Sequence, residues 1–153
     1  MKNFSKKKIL ITGGASGIGK LMASTLAQRG AEVIIADINI FDARKVAADI
    51  KQSGGRAHAF LVDLTSIDSI KKLKSQVSAS GLQIDALINN AGVVFGGEFE
   101  NLSLEKHLLT YRVNVDGLVA MTHVFFSDLR KSSDANIVNI ASASGYVGLP
   151  YGT

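Results

Sequence analysis

The sequence predicts an α/β fold, a doubly wound parallel sheet with helices on both faces, and three observations carry that expectation. Short apolar runs alternate with helix-spaced stretches along the first ninety residues. Those runs are apolar throughout rather than every second residue, as strands buried on both faces are. A glycine-rich turn, Thr12-Gly13-Gly14-Ala15-Ser16-Gly17-Ile18-Gly19, lies between the first run and the first helical stretch. With 153 residues, 46% hydrophobic and 20% charged, the chain suits one globular domain with a substantial core.

Lys8-Ile9-Leu10-Ile11 reads as the first strand, because its branched residues favour a buried pleat. Ile18, Leu21, Met22, Thr25 and Leu26 follow at helical spacing and are expected to form one buried stripe. Glu32 to Ala36 is the second strand, ending at Asp37, and Ala43, Val46, Ala47 and Ile50 mark the buried side of the second helix. Ser53-Gly54-Gly55 stops that helix. Ala57 to Val62, ending at Asp63, is the third strand. Thr65 with Asp68 forms a helix-start box, with Ile67, Ile70, Leu73 and Val77 as the stripe, and Gly81 ends this third helix. Ala86-Leu87-Ile88 is the fourth strand and runs into Asn89-Asn90-Ala91-Gly92.

Beyond Gly96-Gly97 a longer helix opens near Ser103 and reaches about Leu129. Its expected stripe is Leu104, Leu108, Tyr111, Val115, Leu118, Thr122, Phe125 and Leu129. Val113, Val119, Met121, Val124 and Phe126 fall outside it, so the helix is apolar on more than one side and needs more than one partner. Asn136 to Ile140 is the fifth strand, followed by Ala141-Ser142-Ala143-Ser144-Gly145. A Rossmann-type dinucleotide-binding sheet has six strands in the order 3-2-1-4-5-6. Five strands are expected here, in the order 3-2-1-4-5, with the C-terminal strands and helices missing and the fifth strand left with an open edge.

The glycine turn suits an anion. Glycine lets the backbone turn tightly and admits a bulky group without a Cβ in the way. The first-turn N–H groups and the helix macrodipole then face that group, and a pyrophosphate meets the demand. No Gly-Lys-Ser/Thr follows, which excludes a Walker-type phosphate loop. Asp37 stands eighteen residues after Gly19, close to the spacing at which an acidic side chain holds an adenosine ribose hydroxyl. Its charge opposes a 2′-phosphate, and its neighbours Ile38 and Asn39 offer no arginine. The lesser alternative is a surface aspartate that caps the next helix. Asp63 ends the third strand on the same side of the sheet, where open parallel sheets bind ligands.

Composition excludes several classes. There are no cysteines, hence no disulfides or thiolate metal sites, and His58, His107 and His123 lack metal-ligand spacing. The net charge of +4 comes partly from Lys2, Lys6, Lys7 and Lys8 and from Lys71, Lys72 and Lys74. Neither cluster is interleaved with aromatic residues, so solvated surface charge is expected rather than nucleic-acid binding. Met1 to Lys8 does not read as a signal peptide and no window reaches the length of a membrane span, so a cytoplasmic protein is expected.

Five motifs in order resemble the short-chain dehydrogenases/reductases, from about Lys8 to the C-terminus. Thr12-Gly13-x-x-x-Gly17-x-Gly19, including Ser16 and Ile18, matches the family's cofactor fingerprint. Asp63-Leu64 is similar to its adenine-contacting pair, and Asn89-Asn90-Ala91-Gly92 to its central-strand signature. Asn114 corresponds to the helix asparagine of its catalytic tetrad and Ser142 to its catalytic serine. The resemblance implies hydride transfer between nicotinamide and a secondary alcohol or ketone, with NAD preferred over NADP. It implies that Ser142 hydrogen-bonds the substrate oxygen, that Asn114 orders a water, and that Asn90, Ala91 and Gly92 line the cofactor site. It also implies a homo-oligomer paired through the helix at 103–129. On chemistry alone Ser142 reads as a loop hydroxyl and Asn114 as a buried polar group satisfied by backbone. The family's tyrosine usually lies thirteen residues after the serine, with a lysine four further on, which places it at position 155. Neither Tyr146 nor Tyr151 is followed by a lysine at that distance within the chain. The expectation is therefore a cofactor-binding part without turnover, the alternative being a non-catalytic dinucleotide-binding or interaction module.

Overall fold

The computed structural model describes residues 4–145 and 147. Its strands are β1 (Lys8–Thr12), β2 (Glu32–Asp37), β3 (Arg56–Leu61), β4 (Ala86–Asn89) and β5 (Asn136–Asn139). They form one parallel sheet in the order β3-β2-β1-β4-β5, as the alternation of strands and helices predicts. The helices are α1 (Gly17–Gln28), α2 (Ile40–Gln52), α3 (Ile67–Ala79), α4 (Leu104–Tyr111) and α5 (Leu118–Leu129).

Successive residues of a strand point to opposite faces, and the core divides accordingly. Ile9, Ile11, Val33 and Ile35 pack with Ala23 and Ala27 of α1 and with Ala43, Val46, Ala47 and Ile50 of α2. Leu10, Ile34 and Leu87 pack with Ile70, Leu73 and Val77 of α3 and with Met121, Phe125 and Leu129 of α5. The outermost strand β5 is the exception. Ile137, Val138 and Ile140 are each about 40% exposed, because no described helix covers that end of the sheet.

Three sequence expectations need correction. In α1, Ile18 and Leu21 are exposed, and the buried face is Gly19, Ala23 and Ala27. Small residues bring this helix close to the sheet, a contact that a search for bulky apolar side chains passes over. In α3 the cap is Ser66, whose hydroxyl accepts the Ser69 N–H at 3.2 Å, while Thr65 turns back to Asp63. Ile67 is consequently exposed, whereas Ile70, Leu73 and Val77 are buried as expected.

The third correction concerns the long helix. Its backbone runs from Leu104 to Leu129 with a π-helical segment, Arg112–Gly117, between α4 and α5. Leu104, Leu108, Tyr111 and Val115, expected on the buried stripe, are exposed, and the buried positions are Gly117, Met121, Phe125, Asp128 and Leu129. A π segment places an extra residue in one turn, so a stripe drawn at 3.6 residues per turn loses register across it. Gly117 sits where the helix presses on the loop after β3. A Cβ there would lie 2.7 Å from the Leu64 Cβ and 2.9 Å from its carbonyl oxygen.

Gly117→Ala is therefore expected to lower stability by about 1–3 kcal/mol, since neither the loop nor the helix can retreat without disturbing the core. Thermal unfolding checks this. Gly145→Ala, where no atom lies within 4 Å of the added carbon, should leave the melting temperature unchanged. An unchanged value for Gly117→Ala would show that the helix can lift off the loop.

Candidate cofactor site

β1 ends at Thr12, and the chain turns away from the sheet through Gly13, at φ +66°. The Gly13 N–H still donates to the Ala36 carbonyl at 2.9 Å, so the turn begins tied to β2. A Cβ on Gly13 would stand 2.8 Å from the Ala91 Cα, and one on Gly19 would strike the Gly13 carbonyl and the Asn90 amide. Those two glycines let pieces of backbone meet. Gly17 differs: at φ +50° it has no atom within 4 Å of where a Cβ would be, so it faces open space. Ser16 precedes α1 without a side-chain capping bond, and the first turn contains no acidic residue. The first-turn N–H groups, which lack partners within a helix, are thus left for an anion.

At the end of β2, Asp37 is 9% exposed. Its Oδ2 accepts the Ala15 N–H and its Oδ1 the Asn39 N–H, both at 2.9 Å. Asn39 in turn caps α2 by accepting the Asp42 N–H. Asp63 Oδ1 accepts the Thr65 N–H at 2.9 Å and the Thr65 hydroxyl at 2.7 Å, which shapes the turn after β3.

The end of β4 supplies the third wall. Thr12 Oγ1, buried, accepts the N–H groups of Asn90 and Ala91 at 3.0 and 3.1 Å. The Asn90 amide donates back to the carbonyls of Thr12 and Gly13 at 3.0 and 3.2 Å. β1 and β4 are therefore held together where their ladder stops. Asn89 points the other way, its amide donating to the Thr122 hydroxyl and to Asn139 Oδ1, which joins β4 to α5 and β5.

These three walls enclose a cleft of about 700 Å³. Gly13, Ser16, Gly17, Ile18, Gly19, Asp37, Asp63, Leu64, Asn90, Ala91 and Gly92, the residues assigned to a cofactor from sequence, all line it. Ala36, Ile38, Val62, Thr65, Val93, Leu109 and Val113 complete the lining and were not singled out. Two signals could have found some of them. Ile38 and Thr65 follow closely on the paired aspartates, and Val113 is one of the apolar residues off the expected stripe of the long helix.

Asn114 and Ser142 do not line the cleft. Asn114, in the π segment, accepts the Val93 N–H through Oδ1 and donates to the Val93 carbonyl through Nδ2, both at 2.8 Å. Its amide is satisfied by backbone, so it fastens the long helix to the segment leaving β4. Ser142 lies beyond β5, at the cleft end of the parallel sheet, and is exposed. Its Oγ is 2.9 Å from Ser144 Oγ and accepts the Ser144 N–H at 3.2 Å. Tyr146 and Tyr151 lie outside the described residues. Among the described residues no helix is long and apolar enough to cross a membrane.

Residues 7–153 match the family model for short chain dehydrogenase. A Thermotoga maritima protein described as an uncharacterized oxidoreductase is 38% identical over 148 residues, covering 97% of this chain and 58% of that protein. Cyclopentanol dehydrogenase from a Comamonas species is 31% identical over 98% of this chain and 60% of its own length. The chain thus spans about six-tenths of the length of these relatives. A Burkholderia phymatum short chain dehydrogenase/reductase solved with NAD superposes with a TM-score of 0.91 at 28% identity, covering 99% of this chain and 54% of that one. A metagenomic short-chain oxidoreductase solved with NADP gives 0.89 at 28% identity, covering 97% and 68%.

The Thr12 tie is testable. Thr12→Val keeps the shape but leaves two N–H groups without their acceptor, which is expected to cost about 1–3 kcal/mol. Thr12→Ser, which retains the hydroxyl, should recover most of that loss in a denaturant titration. Equal stability of Thr12→Val and the unmutated chain would mean that the ends of β1 and β4 are held by something else.

Proposed function

The chain belongs to the short chain dehydrogenase family, and from that premise we propose that it is the cofactor-binding part of an NAD-preferring oxidoreductase acting on a secondary alcohol or its ketone. The observation that supports this best is the cleft, with Gly17 open on one wall and the Asp37 carboxylate on another. A pyrophosphate suits the free N–H groups of the first turn of α1. The adenosine ribose suits Asp37, whose negative charge opposes a 2′-phosphate.

NAD, when bound, supplies the hydride acceptor. Ser142, at the carboxyl end of the sheet, is the residue to hydrogen-bond the substrate oxygen. The Asn114 amide is held at both ends by Val93. Asn114 is the residue to order a water, and its bonds to Val93 fix where it stands in the π segment. A second reading is a non-catalytic dinucleotide-binding or interaction module, which the same cleft would serve. A homo-oligomer through the helix at 103–129 belongs to the same proposal, supported by the exposed Leu104, Leu108, Tyr111, Val115, Val119 and Phe126. Cytoplasmic location is the remaining part of this reading.

Calorimetric titration tests the cofactor assignment. A hydrogen bond to a charged group is worth ~1.5–3 kcal/mol, so NAD is expected to bind about ten- to a hundred-fold tighter than NADP. Equal affinities would remove the preference, and failure of both to bind would remove the cofactor reading. Incubated with NAD and a panel of secondary alcohols, the chain alone is expected to turn over none of them, because a positioned acid–base group contributes ~10²–10⁴-fold. Turnover abolished by Tyr151→Phe would place the proton donor inside the chain. Light scattering is expected to find a dimer or larger species; a clean monomer at high concentration would count against pairing through this helix.

A further inference from the structure

Asp37 makes more contacts than a residue reserved for a ribose requires. Strand pairing reaches only as far as Gly13, whose N–H meets the Ala36 carbonyl. Beyond it the loop leaves the ladder, and the N–H of buried Ala15 has the Asp37 carboxylate as its partner at 2.9 Å. Ser16 caps nothing with its side chain, and Gly17 stands in open space. The Asn90 amide holds the start of the loop at the Gly13 carbonyl, and from Ala15 to Gly17 the Asp37 carboxylate is the side chain with a hydrogen bond to it. Its second oxygen holds the Asn39 N–H, so one ionised group fixes the approach to α1 and the start of α2 together. Hydrogen bonds to a charged acceptor are stronger than neutral ones, and a buried N–H left without a partner bears its full desolvation penalty.

We propose that Asp37 is the positioning residue of the glycine loop, so that it governs affinity for every ligand held by that loop and not only for those presenting a ribose 2′-hydroxyl. The proposal rests on the dinucleotide reading above and deepens it. It changes what cofactor specificity means at this position. Replacing Asp37 by a small neutral residue removes the repulsion of a 2′-phosphate, but it releases Ala15 as well. The gain in NADP binding is then offset by loss of the pyrophosphate cradle. Acceptance of NADP requires a neutral residue that still accepts the Ala15 N–H.

Two measurements test this. In the ligand-free chain, amide hydrogen exchange followed by NMR should be at least tenfold faster at Ala15 in Asp37→Ala, with Leu10 and Ile11 of β1 unchanged. Asp37→Asn, which keeps one acceptor oxygen, should accelerate Ala15 less. Unchanged Ala15 exchange in Asp37→Ala overturns the proposal, and unchanged Leu10 and Ile11 establish that the variant is folded. The unmutated chain and Asp37→Ala are then titrated with NAD and with its 2′-deoxyadenosine analogue. A positioning role predicts that the substitution weakens both ligands, the analogue by at least tenfold. A loss confined to NAD overturns the positioning role and leaves the ribose contact standing. If the unmutated chain binds neither ligand, the dinucleotide reading falls, and the Ala15 exchange rate still decides whether Asp37 holds the loop.

Discussion

A parallel sheet must release its strands at their carboxyl ends, and every N–H and C=O that leaves the ladder there needs a new partner. This molecule meets that constraint with a few polar side chains, each engaged on main chain. The Thr12 hydroxyl takes the N–H groups of Asn90 and Ala91, and the Asn90 amide returns to the carbonyls of Thr12 and Gly13. Asp37 takes Ala15 and Asn39, and Asn114 takes both polar groups of Val93. The cleft is the space left between these attachments. Its shape therefore depends on how backbone is satisfied at least as much as on which side chains face inward.

That dependence explains which parts of the fold were legible beforehand. The strands of a parallel sheet are apolar on both faces, and Leu10 with Ile11 or Ile34 with Ile35 announce themselves without any knowledge of the helices. Asp37 and Asp63 were visible because they stand where such strands end. The α2 stripe of Ala43, Val46, Ala47 and Ile50 was also visible, because it has no interruption. The α1 face was not. Gly19, Ala23 and Ala27 pack through being small, and periodicity searches weight what is large. The tie made by Thr12 was hidden for another reason: a single hydroxyl at a strand end carries no pattern, and its partners are nearly eighty residues away in sequence.

Asn114 and Ser142 illustrate how a motif and a chemical role can be separated. The motif places both residues, and the fold brings both to the cleft end of the sheet. The Asn114 amide, however, is occupied by Val93, and the Ser142 hydroxyl by its neighbour Ser144. What the described residues provide is a cleft with walls tied together through main chain, and a helix secured against one of them.

The π segment at Arg112–Gly117 has a consequence for how such a sequence can change. One residue of an α-helix subtends about 100° around the axis, so a residue inserted into a regular helix would turn everything after it out of phase. A wide turn that takes up the extra residue leaves the flanking turns in phase, and Met121, Phe125 and Leu129 keep facing the sheet. Deleting one residue from this segment would therefore close the wide turn into a regular one and leave that apolar face on the sheet. What would change is the segment itself, where Asn114 is fastened to Val93. A change of length is thus a local event between Arg112 and Gly117, whereas one inside α5 would rotate its buried face away from the core.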